Sequence, residues 1–354
     1  MEYLIQYGLF LAKVVTIVVA LVFVLLVLVS VSARQKRDDR HGHIKISKLN
    51  DQLDDMLHEV QRAVLDKTAY KAEMKKRKQR HKLEQQGQKN QAETRQDAPA
   101  RQKKRIYILD FKGDTAASAV ESLREEITAV LSMATTADEV ILRLESPGGM
   151  VHAYGLASSQ LMRIKDRKIP LVICVDKVAA SGGYMMACLA DRLIAAPFAI
   201  IGSIGVLVQM PNFHRILKRH DIDYETITAG EFKTTLSTFG EITQKGRDKV
   251  KDDIEDVHQI FKKWVKEHRP SVDIDKIATG ETWLGTQAKD RYMVDEIRTS
   301  DEVIVRASGE ADVFAVSYEL RQTLQSRLSQ IFKGATSSVI EEFSERSNSG
   351  KFYS

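Results

Sequence analysis

Apolar residues recur along this chain in three different rhythms. From Val14 to Val31 they run together as 18 residues without a charge, close to the roughly 20 needed to cross a hydrocarbon layer. Between 44 and 65 they return at three- and four-residue intervals, at Ile46, Leu49, Leu53, Met56, Leu57, Val60 and Val64, the spacing of one face of a helix. From Arg105 onward, short apolar runs alternate with longer periodic ones. RIYILDF, EVILRL and PLVICV read as strands. SAVESLREEITAVLSMA, with Val120, Leu123, Ile127, Val130 and Leu131 on one face, reads as a helix, as do YGLASSQLMRIK and the segment after Ser181. This β-α-β-α order predicts an α/β domain of repeated βα units with largely parallel strands.

Two of the uncharged runs are long enough to suggest a membrane, and they part on their surroundings. YGLFLA extends the first run on the far side of Lys13, a lysine able to snorkel. A cleaved signal peptide is the alternative. The run exceeds an ordinary h-region, however, no basic n-region precedes it, and its only A-x-A-like site, VSA, is followed by RQKR. A retained transmembrane anchor is therefore expected over 1–33. The second run, Leu193–Met210, also counts 18 uncharged residues. Pro197, Gly202 and Gly205 break it into strand-sized pieces and Asp191-Arg192 abuts it, so it is assigned to the folded domain. The basic flank after the anchor favours a cytoplasmic position for the α/β domain, a preference that large domains override.

Charge changes the picture between anchor and domain. From Lys71 to Arg105 there are 13 Lys or Arg against 4 Asp or Glu, interleaved with glutamines. Aromatic side chains for stacking on bases are missing there, so a solvated helix running into a disordered linker is expected rather than a nucleic-acid site. The stripe over 44–65 needs a partner, either its own domain or a sister subunit. The organisation that results is an anchor (1–33), a basic helical region and linker (34–105), an α/β domain (106–300), and a C-terminal strand and amphipathic helix ending in a disordered tail (301–354). At 43% hydrophobic and 29% charged residues the chain can bury a sizeable core. Cys174 and Cys188 both lie in apolar segments and read as small buried hydrophobes. No CxxC, HExxH or Walker-A pattern occurs, so zinc and nucleotide phosphate lack their usual ligands.

The candidate chemistry sits on two glycine turns at strand ends, Ser146-Pro147-Gly148-Gly149 and Ala180-Ser181-Gly182-Gly183. Ligand sites in open α/β sheets lie at such ends, and glycine lets backbone N–H groups approach a developing oxyanion. N–H groups of Gly148 or Gly149 are candidates to pair with that of Ser181 or Gly182. Tight strand-to-helix packing is the competing use of the same glycines. AASGG is not the G-x-S-x-G elbow, and of the nine histidines only His152 stands near a turn. A serine nucleophile can use a neutral lysine as base instead. A free lysine titrates near ~10.4, so such a base needs apolar or glycine-rich surroundings. Lys233, after a β-like stretch and flanked by Phe232 and Leu236, fits that need better than Lys245, Lys249 or Lys251 in a charged helix over 243–268, although a surface loop lysine is the ordinary reading of such a position.

With LESPGGMVHAYGL, VAASGGYMMACLAD, IIGSIGV and GEFKTTLSTFGEIT in that order, the chain resembles the bacterial signal-peptide-peptidase-A family of Ser–Lys proteases, most strongly over Tyr107–Ile297. The resemblance implies a fold related to the Clp protease and crotonase superfamily. Ser181 then matches the nucleophile, Lys233 the general base and Ser203 the hydroxyl that orients the lysine. A glycine of the first turn (Gly148 or Gly149) and the start of the second (the Ser181 or Gly182 N–H) match the oxyanion hole. It further implies a homo-oligomer in the bacterial inner membrane that cleaves unfolded or membrane-released peptides such as signal-peptide remnants, with no metal and no nucleotide. Its better-known members work in the periplasm, opposite to the side the flanking charges favour. Two rival readings remain: a crotonase-like acyl-CoA enzyme, and a membrane-anchored scaffold without activity.

Overall fold

The computed structural model describes residues 42–76 and 103–320, with residues 13, 15, 16 and 79. The expected anchor, apart from Lys13, Val15 and Thr16, lies outside the described residues, as do the linker from 80 to 102 and the tail from 321. Among the described residues no helix is long and apolar enough to cross a membrane.

The first described elements are strand β1 (His43–Lys48) and helix α1 (Leu49–Val64). The chain then forms β2 (Arg105–Lys112), α2 (Val120–Leu131), β3 (Glu139–Glu145), α3 (Val151–Asp166), β4 (Leu171–Val175), β5 (Val178–Ala180), α4 (Gly182–Ala187), β6 (Arg192–Ala195) and β7 (Ile200–Gly202). There follow α5 (His214–Arg219), α6 (Gln244–His268), α7 (Ile274–Ile277), β8 (Thr282–Leu284), α8 (Gly285–Asp290), β9 (Glu296–Ile297), α9 (Ser300–Glu310) and β10 (Asp312–Glu319).

Seven strands make the main sheet in the order β1-β10-β2-β3-β4-β6-β9. From β10 across to β9 every pair is parallel, so the mixed α/β class expected from the alternation is what forms. Parallel strands are covered on both faces and read as continuous apolar runs, which is why LVICV of β4 is buried at all five positions. On one face α2 and α3 bury Val120, Leu123, Ile127, Val130, Leu161 and Ile164. On the other, Ile106, Ile108, Ile141, Val172 and Cys174 meet Val303 and Ile304 of α9. A second sheet, β5-β7-β8, branches from the first through a parallel bridge between Ser146 and Ala179.

The segment read as a helix from residue 44 begins as a strand instead. His43-Ile44-Lys45-Ile46-Ser47 alternates with period two, and it adds to the β10 edge of the sheet. Asn50 then pins the start of α1, donating from Nδ2 to the Ser308 and Ala311 carbonyls and accepting from the Val313 N–H. Of the apolar stripe, Leu49 packs against the α9 side of the core, whereas Met56, Leu57, Val60 and Val64 are exposed. The β-like stretch read before Lys233 also forms no strand. Residues 203–243 hold only the short α5 as regular structure, and a local cluster of Phe213, Tyr224 and Phe239 rings holds part of the segment together.

Glu126 of α2 lies among the apolar residues of that helix at 5% exposure. One carboxylate oxygen accepts the Tyr318 N–H of β10 at 2.9 Å, and the other finds no partner among the described residues. Burial, working against that hydrogen bond, pushes its pKa up to about 7. The folded chain therefore holds a proton between pH 4.5 and 7 that the unfolded chain releases, so this group's contribution falls as pH rises through that window. Native stability is expected to lose roughly 2–3 kcal/mol from this source between pH 4.5 and 7. Denaturant titrations at several pH values check it: Glu126→Gln is expected to remove that part of the slope.

Candidate active site

Strands β5 and β7 run parallel with Ala180 in register with Gly202, so the residues just beyond their C-terminal ends, Ser181 and Ser203, stand side by side. Both have left-handed backbones, φ 51° for Ser181 and 53° for Ser203, an unusual conformation for residues with a Cβ. Two hydrogen bonds hold them there. The Ser181 N–H donates to the Gly202 carbonyl at 2.8 Å, and the Ser203 N–H to the Glu281 carbonyl at 2.6 Å. Ser181 lies directly before α4, half-buried, and its hydroxyl makes no hydrogen bond among the described residues. Strain concentrated on one small residue with a free hydroxyl is the arrangement expected of a nucleophile.

The first glycine turn closes over this serine. Gly148 has φ 91°, and a Cβ there would meet the Ala180 carbonyl and Ser181 Cβ at 2.7 Å and the Gly182 nitrogen at 2.8 Å. Only a residue without a side chain fits so close an approach. The N–H groups are unequally available. That of Ser181 belongs to Gly202, which corrects the expectation that it faces a substrate, and that of Gly148 donates to Ser146 Oγ at 3.1 Å. Those of Gly149 and Gly182 have no acceptor among the described residues. The two glycine turns thus bring together Ser181, Ser203, Gly148, Gly149 and Gly182.

Peptidase family S49 is matched by two family models, its N-terminal region over residues 2–161 and the peptidase proper over 163–314. A probable protease SohB of Haemophilus influenzae is 41% identical over 347 residues, 98% of each chain. A probable protease SohB of Buchnera aphidicola is 48% identical over 243 residues, 69% of this chain and 70% of the relative. Protease 4 of Haemophilus influenzae is 31% identical over 170 residues, 48% of this chain and 28% of that one. The chain belongs to peptidase family S49. The resemblance carried by the four motifs is thereby shown, and the activity at its coarsest is that of a peptidase.

Within this S49 peptidase the remaining sequence candidates make no hydrogen bond to Ser181 or Ser203 among the described residues. Lys233 is exposed, with its N–H on the Gly230 carbonyl, and among the described residues it makes no hydrogen bond to Ser181 or Ser203. Of the apolar neighbours expected for it, Phe232 is 44% exposed and Leu236 is half-buried. Lys245 and Lys249 lie over the Phe232 ring and pair with Glu231 and Asp253 respectively. His152, in the first turn of α3, is exposed and makes no hydrogen bond among the described residues. Both cysteines are buried and free, and burial pushes each thiol up to about 12, so neither is a nucleophile.

Two residues without an assigned role in the sequence prove central to the first turn. Ser146 and Tyr154 are fully buried, and their hydroxyls meet at 2.6 Å. Tyr154 also donates to the Asp114 carbonyl, 40 residues away along the chain. A tyrosine in an amphipathic helix carries no signal of such a partner.

Proposed function

We propose that this peptidase is a membrane-anchored serine endopeptidase in which Ser181 attacks the peptide carbonyl and Lys233 serves as general base. Ser203, beside Ser181, orients the lysine, and the Gly149 and Gly182 N–H groups receive the oxyanion, with Gly148 as the close-packed wall between them. The lysine takes the serine's proton, an acyl-enzyme forms as the amine leaves with that proton, and water deprotonated by the same lysine releases the product. The observation that carries this reading is the strained Ser181 with its free hydroxyl beneath a turn that only glycine can make.

An amine acting as base has to be neutral, and removal from water is what favours the neutral form. In the single chain Lys233 is exposed, and so are Leu207, Ile216, Ile222, Ile227 and Phe232 around it in sequence. A second copy covering residues 203–243 supplies the missing burial, so the active form is a homo-oligomer. The substrates are unfolded or membrane-released peptides, and the run 14–31 holds the enzyme at the bacterial inner membrane. Carbonate extraction tests the anchor, because a peripheral protein leaves the membrane pellet. The site itself is tested with a fluorophosphonate probe on the full-length chain. Labelling of Ser181, lost in Ser181→Ala, is expected; an unlabelled but folded protein favours the acyl-CoA or scaffold readings.

A further inference from the structure

The glycine turn that covers Ser181 is held by a directed chain of hydrogen bonds. The Asp114 carbonyl can only accept, so the Tyr154 hydroxyl donates to it, at 2.8 Å. That uses the single phenolic proton, and the 2.6 Å contact between the two hydroxyls must then be Ser146 donating to Tyr154. The Ser146 oxygen in turn accepts the Gly148 N–H at 3.1 Å. Direction therefore runs from Gly148 through Ser146 and Tyr154 to Asp114. Burial also pushes the Tyr154 phenol above its usual value, keeping it a donor.

Tyr154 touches the second turn as well. A Cβ on Gly182 would run into the Tyr154 ring, with Cδ2 at 2.7 Å. One fully buried side chain thus rests against Gly182 with its ring and, through Ser146, holds Gly148 with its hydroxyl. With the Gly148 N–H turned inward onto Ser146, the next N–H, that of Gly149, is left without an acceptor among the described residues.

We propose that Tyr154, acting through Ser146, is the positioning residue that sets the Gly149 and Gly182 N–H groups at the spacing an oxyanion needs. The proposal rests on Ser181 as the nucleophile. Small displacements of such donors carry large penalties, because the interaction strengthens only as charge develops on the oxygen.

The test uses detergent-solubilised full-length enzyme, a fluorescein-labelled unfolded casein and a quenched fluorescent peptide as substrates, and fluorophosphonate titration to count active sites. Tyr154→Phe keeps the ring against Gly182 and removes the hydroxyl. Its kcat per titrated site is expected to fall roughly tenfold to a hundredfold with KM within about twofold. A peptide aldehyde, whose adduct with Ser181 places an oxyanion in the same place, is expected to lose affinity by the same factor as kcat/KM. Ser146→Ala is expected to do likewise, and the double variant to add little, since the two act as one unit. A purely structural role lowers the melting temperature and the number of titratable sites but leaves kcat per site and aldehyde affinity alone. Should Tyr154→Phe fail to fold, Ser146→Ala carries the test. Unchanged kcat per site and aldehyde affinity, with Ser181→Ala inactive, overturns the positioning role only. Wild-type turnover in Ser181→Ala overturns the nucleophile and this proposal together.

Discussion

Ser181→Ala is expected to abolish peptide hydrolysis in a protein that still folds, because the half-buried hydroxyl makes no hydrogen bond among the described residues. Lys233→Ala is expected to lower turnover by about 10²–10⁴-fold, the usual contribution of a general base, and to add little on top of Ser181→Ala. Lys233→Arg is expected to fail as well, since a guanidinium stays protonated at any workable pH. Ser203→Ala removes only an orienting hydroxyl, so roughly a tenfold to hundredfold loss is expected. Ile227→Asp places a charge on a side chain that is 90% exposed in the single chain. The monomer is expected to fold normally, while assembly and peptidase activity fall together, as light scattering and a peptide assay will show. Full turnover in a folded Lys233→Ala enzyme, with loss in His152→Ala, would falsify the lysine assignment and pass the base role to the histidine at the start of α3.

The second large effect concerns Gly148. An alanine there meets backbone and Ser181 Cβ, at 2.7–2.8 Å from Ala180, Ser181 and Gly182, and none of these can swing aside as a flexible side chain does. Its backbone also sits at φ 91°, where a side chain adds roughly 1–2 kcal/mol of strain. Gly148→Ala is expected to lower the melting temperature and to reduce kcat at least about a hundredfold through displacement of the turn. Gly155 offers the contrast. It lies inside α3 with nothing within 4 Å of a built Cβ, so Gly155→Ala is expected to stabilise the fold by roughly 0.5–1 kcal/mol with activity unchanged. Calorimetry and the peptide assay on the two variants read both effects. A Gly148→Ala enzyme with wild-type kcat would mean that the turn has no part in the reaction.

The strands and helices of the α/β body were legible in the sequence because each is specified locally. PLVICV is apolar at every position since β4 is covered on both faces, and Val120, Leu123, Ile127 and Val130 recur at helical spacing since one face of α2 lies on the sheet. The two glycine turns were legible as motifs, but what demands glycine differs between them: Gly148 has a positive φ, whereas a Cβ on Gly182 or Gly183 would run into Tyr154 or Ser146. The strand nature of residues 43–48 was obscured because the helical stripe continues through Ile46, while the edge that captures the strand is β10, more than 260 residues later. Which amides near Ser181 are left without an acceptor among the described residues was likewise a tertiary decision. The Gly202 carbonyl claims the Ser181 N–H and the Ser146 hydroxyl claims that of Gly148, and both acceptors reach their places through the fold. Local periodicity therefore determined the elements of the α/β body, and the glycine motifs the candidate serine. Long-range hydrogen bonds, from Asn50 to Val313 and from Tyr154 to Asp114, decided how the sheet edge closes and how the turn over Ser181 is held, because their partners meet only once the chain has folded.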